Sequence, residues 1–168
     1  HYFLQYARYT RYQEFVKDQV YPVVRGVCEF YCNLARRGGD GFFHLDPANA
    51  LETWWLVRDP APDLAGLRVV LPQFIALAEG CGLDGELRRR CEDLLAGLPP
   101  LPTGRWNRDG TVDSEVDVLA PAAAPGAIAG NRNEEHPELY AVFPFGLIGL
   151  DSEDLERARR TFTARLFP

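Results

Sequence analysis

The strongest constraint on how this chain folds is the spacing of its first apolar residues. Val16, Val20, Val23, Val24, Val27, Phe30, Tyr31 and Leu34 recur at intervals of three and four, which lines them along one wide helix face that has to be buried. The segment from Tyr2 to Arg37 is therefore predicted to be helical, interrupted at Tyr21-Pro22. A residue before proline avoids helical backbone and proline lacks an amide donor, so a sharp break is expected there, with Pro22 opening a second helix. Gly38-Gly39-Asp40-Gly41 accepts left-handed geometry and ends it.

The same periodicity returns downstream. Asp63 can cap a helix whose apolar face is Leu64, Leu67, Val70, Leu71, Phe74, Ile75 and Ala78, ending near Gly80 to Gly82. Asp84 can cap the next, which carries Leu87, Cys91, Leu94 and Leu95 and stops before Leu98-Pro99-Pro100. The two helices, joined at Gly82, are expected to form an antiparallel hairpin. Asp151-Ser152 is expected to cap a last helix, Glu153 to Leu166. Between these, Phe42 to Leu45 reads as a short extended piece and Leu56 to Ala61 as loop. Gly104 to Val112 reads as a small hairpin turning at Asp109-Gly110. Ala120 to Gly130, dominated by alanine, proline and glycine, is expected to form no packed element. The expected fold class is all-α: antiparallel helix pairs with short extended loop segments and no sheet.

A hydrophobic content of 46% in 168 residues is ample for a core. Residues 1–168 are read as a single region. The chain has no methionine and begins His1-Tyr2-Phe3, and so is expected to be a fragment of a larger domain. No continuous apolar run approaches bilayer length, so no membrane partner is expected. The net charge is −6, Lys17 is the sole lysine, and the one basic run, Arg88-Arg89-Arg90, is flanked by Glu86 and Glu92. That run reads as a solvated helix face, not as a nucleic-acid stripe with interleaved aromatics. Cys28, Cys32, Cys81 and Cys91 form no C-x-x-C pair, and His44 and His136 are distant from them. The cysteines read as small buried hydrophobes, with no metal site and no cofactor expected.

Candidate chemistry gathers in two stretches. In Asn131 to Phe145, Glu134, Glu135, His136 and Glu138 surround Pro137 at an expected helix start, where the helix dipole favours ionised carboxylates. These acids either cap the helix or act chemically; the large apolar Leu139, Tyr140, Val142 and Phe143 imply that the helix is buried nearly all round. In Asp46 to Trp55, Glu52 stands beside Trp54 and Trp55. Two tryptophans can stack on a sugar ring while a carboxyl reaches the glycosidic linkage; alternatively they fill the core and Glu52 is solvated.

These features resemble the catalytic domain of glycoside hydrolase family 95 and its relatives. Tyr21-Pro22 opening a helix through Gly26 and Phe30-Tyr31, then Pro47 to Glu52, is similar to the family's helix and the loop that ends in a catalytic glutamate. The hairpin Val70 to Leu98 is similar to the next part of that domain, and Leu139-Tyr140-Ala141-Val142-Phe143-Pro144 to its His-Leu-Tyr-Gly-Leu-Tyr-Pro segment. Where the family has Ser-Pro-Glu-Asn this chain has Ala50-Leu51-Glu52-Thr53, and the family's histidine-rich run is replaced by Asn133 to Glu138. The resemblance implies part of an (α/α)6 toroid and a glycoside hydrolase acting with inversion. The pair of asparagines that orients the attacking water in the family would lie upstream of this chain. On this reading Glu52 is the general acid and Glu135 the base, with Glu134 and Glu138 as rivals for the base. Trp54, Trp55, Asn133, Glu134, His136 and Glu138 are expected to bind substrate. The expected partners are a carbohydrate substrate and either the remainder of the toroid or a second copy. The isolated chain is expected to be inactive and prone to associate, with Phe74, Ile75, Phe143 and Phe162 partly uncovered. The alternative from another class is a non-catalytic helical scaffold that binds a glycan or a protein.

Overall fold

The computed structural model describes residues 1–10, 12–126, 130 and 132–166. Asn131, the first residue of the acidic stretch, lies outside the described residues, as do Ala127, Ile128 and Ala129 of the alanine-rich stretch. The chain divides into two compact units, one made of His1–Phe43 and Leu67–Leu98, the other of His44–Gly66 and Pro99–Pro168.

The first unit is helical. Helix α1 (Tyr2–Thr10) and the short α2 (Gln13–Phe15) lead through a π-helical turn, Val16–Val20, into α3 (Tyr21–Leu34). No sharp break occurs at Tyr21-Pro22. Val20 and Tyr21 keep helical backbone, and Pro22 falls in the first turn of α3, where an amide donor is not needed. The buried stripe is also narrower than the periodicity implies: Val20, Val24 and Cys28 are inside, whereas Val23, Val27 and Phe30 face solvent. Helix α4 (Ala61–Cys81) gives this unit Leu67, Leu71, Phe74 and Ala78, all buried, and α5 (Gly85–Ala96) gives it Leu87, Cys91 and Leu94.

By length and composition α4 could cross a membrane, contrary to the expectation that no such run exists. Leu64, Ala65, Leu67, Val70, Leu71, Phe74 and Ala78 are buried along it, whereas Val69, Ile75 and Leu77 are half-buried and Ala76 is exposed. Asp63 lies inside the first turn of α4 instead of capping it. Asp84 does precede α5, but in left-handed backbone and without a capping bond. Its carboxylate instead accepts from the Tyr21 hydroxyl at 2.7 Å and Arg25 Nε at 3.0 Å, and these donors, Tyr21 foremost, hold it below the usual carboxylate range. Strands β1 (Arg36–Arg37) and β2 (Phe43–His44) pair at the turn after α3.

The second unit overturns the all-α expectation and with it the toroid. Strands β3 (Ala48–Ala50), β4 (Trp54–Pro60) and β7 (Ala122–Ala124) form an antiparallel sheet in the order β3-β4-β7. A further antiparallel pair joins β5 (Arg105–Trp106) to β6 (Val112–Asp113), with Trp106 opposite Val112. The stretch Leu56 to Ala61, read as loop from its Pro and Asp, is most of β4, whose Pro60 stands at the strand end. The alanine-rich stretch supplies β7, with Arg58 opposite Ala124 and Pro60 opposite Ala122. Its small side chains suit it to this place: Ala120 and Ala122 pack in one cluster with Trp54, Val57 and Trp106.

Helix α6 (Leu155–Ala164) covers a second cluster of Ala65, Leu119, Ala141, Ile148 and Ala158. Phe145 approaches α4 closely enough that a Cβ on Gly66 would lie 3.0 Å from its ring, so a side chain there would require the ring to shift by a few tenths of an ångström. The expected buried helix after Pro137 is a single 3-10 turn, Pro137–Leu139. Beyond it Val142 and Phe143 are exposed.

Candidate functional site

The β3–β4 hairpin and the acidic stretch meet at one point. Leu51 takes left-handed backbone (φ 57°), which turns the chain between Ala50 and Trp54, paired across the hairpin. Glu52 and Thr53 form the tip of that turn. The Glu52 amide donates to Glu135 Oε2 at 3.0 Å, and the buried Thr53 hydroxyl donates to the same oxygen at 3.1 Å. In return, the Arg132 amide donates to the Thr53 carbonyl at 2.6 Å. Asn133 Nδ2 donates to Glu52 Oε2 at 3.4 Å. Two acids separated by more than eighty residues thus share one hydrogen-bonded cluster, together with Asn133.

The means differ from those expected. Glu135 does not rest on a helix dipole, because a three-residue turn has almost none; a backbone amide and a buried hydroxyl hold its carboxylate in place instead. Glu52 is exposed, so no apolar enclosure surrounds its carboxyl. Of the two tryptophans, Trp54 is core: it is 3% exposed and meets Trp106 edge to face at 5.0 Å. Trp55 is 44% exposed, and its indole N–H donates to the Glu52 carbonyl at 3.0 Å. It therefore presents ring surface to solvent beside the acid. Glu134 is exposed, its amide held by the Asn133 side chain.

Glu138 has a different environment. Its side chain is 13% exposed and lies 3.3 Å from His136 Nδ1. Burial pushes its carboxyl above the ordinary glutamate range, against the opposing pull of hydrogen bonding and of His136. It borders a small cavity of about 30 Å3 beside Trp54, Trp106 and Thr161, a space for about one water. Glu138 faces inward and supports His136.

On the other side of the acidic stretch an apolar groove of about 710 Å3 runs along α6, lined by Tyr140, Phe143, Leu155 and Phe162, with Glu135 and His136 on its wall. Phe143 and Phe162 are exposed, as expected, whereas Phe74 is fully buried.

A second polar cluster was not foreseen. Asp59 is buried in β4 with positive φ. Its carboxylate accepts from the Leu45 amide at 2.8 Å and contacts His44 Nδ1 at 2.6 Å, while Arg58 Nη2 approaches His44 Nε2 at 2.8 Å. The Asp59 amide donates to the Leu45 carbonyl at 2.9 Å. Only the recognition of β4 as a strand could have pointed to an inward acid there. Among the described residues no group of three or more His, Cys, Asp and Glu can hold a metal ion. The chain matches no family model and no curated protein.

Proposed function

We propose that the chain carries the carboxylate pair of a glycoside hydrolase, with Glu135 as the ionised group that activates water and Glu52 as the proton donor to the leaving oxygen. The observation that carries this reading is the Glu135 carboxylate bound by the Glu52 amide and the Thr53 hydroxyl. It draws two acids together beside an exposed indole. Hydrolysis of a glycosidic bond needs such a pair on either side of the linkage, and inversion needs room for a water between them. Trp55 offers the apolar face of a sugar a stacking surface, and Asn133 orients the Glu52 carboxyl. The role of Glu52 as acid rests on its position and not on burial.

The experiment is a panel of glycosides tested with the protein and with Glu52→Gln. Substrates with poor leaving groups are expected to lose about 10²-fold or more in kcat, and activated aryl glycosides far less, since a good leaving group needs no proton. Equal losses on both would make Glu52 a binding or folding residue. The rival reading, a glycan-binding module without catalysis, draws on the same exposed Trp55; it predicts saturable binding with no turnover by either protein.

We further propose that the 168-residue chain self-associates. Phe143 and Phe162 are 77% and 56% exposed and line the same apolar groove, and contiguous apolar surface beyond a few hundred Å2 promotes association. Sedimentation of the chain is expected to give a mass above the monomer that rises with concentration, and Phe143→Ser with Phe162→Ser is expected to lower it. A concentration-independent monomer would refute this.

A further inference from the structure

Cys28 and Cys32 are one helical turn apart on α3 and so share a face. Opposite them on α5 is Cys91. Its Sγ lies 3.7 Å from that of Cys32. Cys28 and Cys91 are fully buried and Cys32 is half-buried. None of the three is in a disulfide.

The contact between sulfurs is held from both sides. Arg90 Nη2 donates to Asn33 Oδ1 at 2.6 Å, and Arg37 Nη2 meets Asp93 Oδ1 at 2.8 Å. Both contacts tie α5 to the chain near Cys32, one to the next residue of α3 and one to β1, five residues on. Both contacts are compatible with the register that brings Cys32 to Cys91. A disulfide needs about 2.05 Å between sulfurs, so less than 2 Å of closure separates the two states, a distance that small side-chain rotations cover.

We propose that Cys32 and Cys91 form a dithiol modification site that reacts with low-molecular-weight disulfides and closes to a disulfide joining α3 to α5. Cys32, the thiol that solvent reaches, loses its proton and attacks one sulfur of the small disulfide; the S–S bond breaks, and one small thiol leaves with that proton. Cys91 then loses its proton and attacks the Cys32 sulfur, forming the internal bond and releasing the second small thiol. Two protein thiols are oxidised and one small disulfide is reduced to two thiols. The hydrogen bond with Cys91, then burial, pushes the Cys32 thiol well above its ordinary pKa, and the hydrogen bond with Cys28 contributes most to raising Cys91 to about 12. Thiolate is therefore scarce, and exchange is slow at neutral pH.

The test is incubation of the native protein with excess oxidised glutathione, alkylation of the remaining thiols and peptide mapping by mass spectrometry. A Cys32–Cys91 linked peptide pair is expected to accumulate over hours. The oxidised protein is expected to melt at least ~5 °C above the reduced one, because the bond closes a long loop in the unfolded chain. Cys32→Ser, at a half-buried position, should fold normally, form no linked pair and show no such rise. A wild-type protein that stops at a mixed disulfide on Cys32, links Cys28 instead, or leaves all these thiols free overturns the proposal.

Discussion

Glu135→Gln is expected to lower kcat for glycoside hydrolysis by about 10²–10⁴-fold while leaving substrate binding nearly unchanged. Glutamine has the same shape, and its amide oxygen can still accept from the Glu52 amide and the Thr53 hydroxyl, which reach Glu135 at 3.0 and 3.1 Å. The loop cluster should therefore persist. What is lost is the negative charge and with it the group proposed to take a proton from the attacking water, a role worth about that factor in rate. Binding by Trp55 does not depend on the charge of Glu135. Calorimetric binding of a product sugar, set beside turnover of an aryl glycoside, separates the two. Full retention of turnover would make Glu135 an anchor for the β3–β4 turn and remove it from catalysis.

Thr53→Val gives a distinct signature against which this substitution can be read. It removes one donor and leaves Glu135 Oε2 with the Glu52 amide, so it perturbs the cluster without touching the charge. Geometry and charge can in this way be weighed separately at one carboxylate.

Local signals in the sequence carried their information well. Asp109-Gly110 marked the β5–β6 hairpin, whose Asp109 side chain accepts from the Thr111 amide and hydroxyl. The periodicity of Leu64 to Ala78 and of Leu87 to Leu94 marked α4 and α5. Pairings between distant segments were hidden. A run of alanines has weak strand preference, and β7 is held by its pairing with β4 and by the packing of Ala122 in one cluster with Trp54 and Trp106. The fates of Trp54 and Trp55 follow from the same omission. Adjacent residues in a strand point to opposite faces, so one indole enters the core and the other meets solvent; read as loop, the segment left that choice open. At the acidic stretch, Pro137 does open a helical turn. Pro144 follows after only six residues, and so short an interval cannot support a helix or its dipole. The meeting of Glu52 with Glu135 has no local signature, since it depends on the left-handed turn at Leu51 and on the Arg132 to Thr53 hydrogen bond.

Asp59→Ala is expected to destabilise the protein by about 3–5 kcal/mol, the usual cost of removing one partner from a buried charged network. The Asp59 side chain is 2% exposed, so water cannot readily replace what is lost. The Leu45 amide and His44 Nδ1 each lose their contact with the carboxylate, and Arg58 loses a nearby countercharge at 3.4 Å. Alanine also tolerates the positive φ of this position poorly, whereas asparagine accepts it. Asp59→Asn keeps an oxygen for the Leu45 amide and suitable backbone geometry, and is expected to cost less than half as much. Urea unfolding of the three proteins measures the differences, and an unchanged slope would show that the unfolded states are alike. Since Asp59 lies in the strand that follows the turn carrying Glu52, near its far end, its loss should also loosen β4 and lower the proposed glycoside turnover, with the alanine variant losing more than the asparagine one. Equal stability of wild type and Asp59→Ala would mean that the buried carboxylate contributes nothing to holding β4 in place.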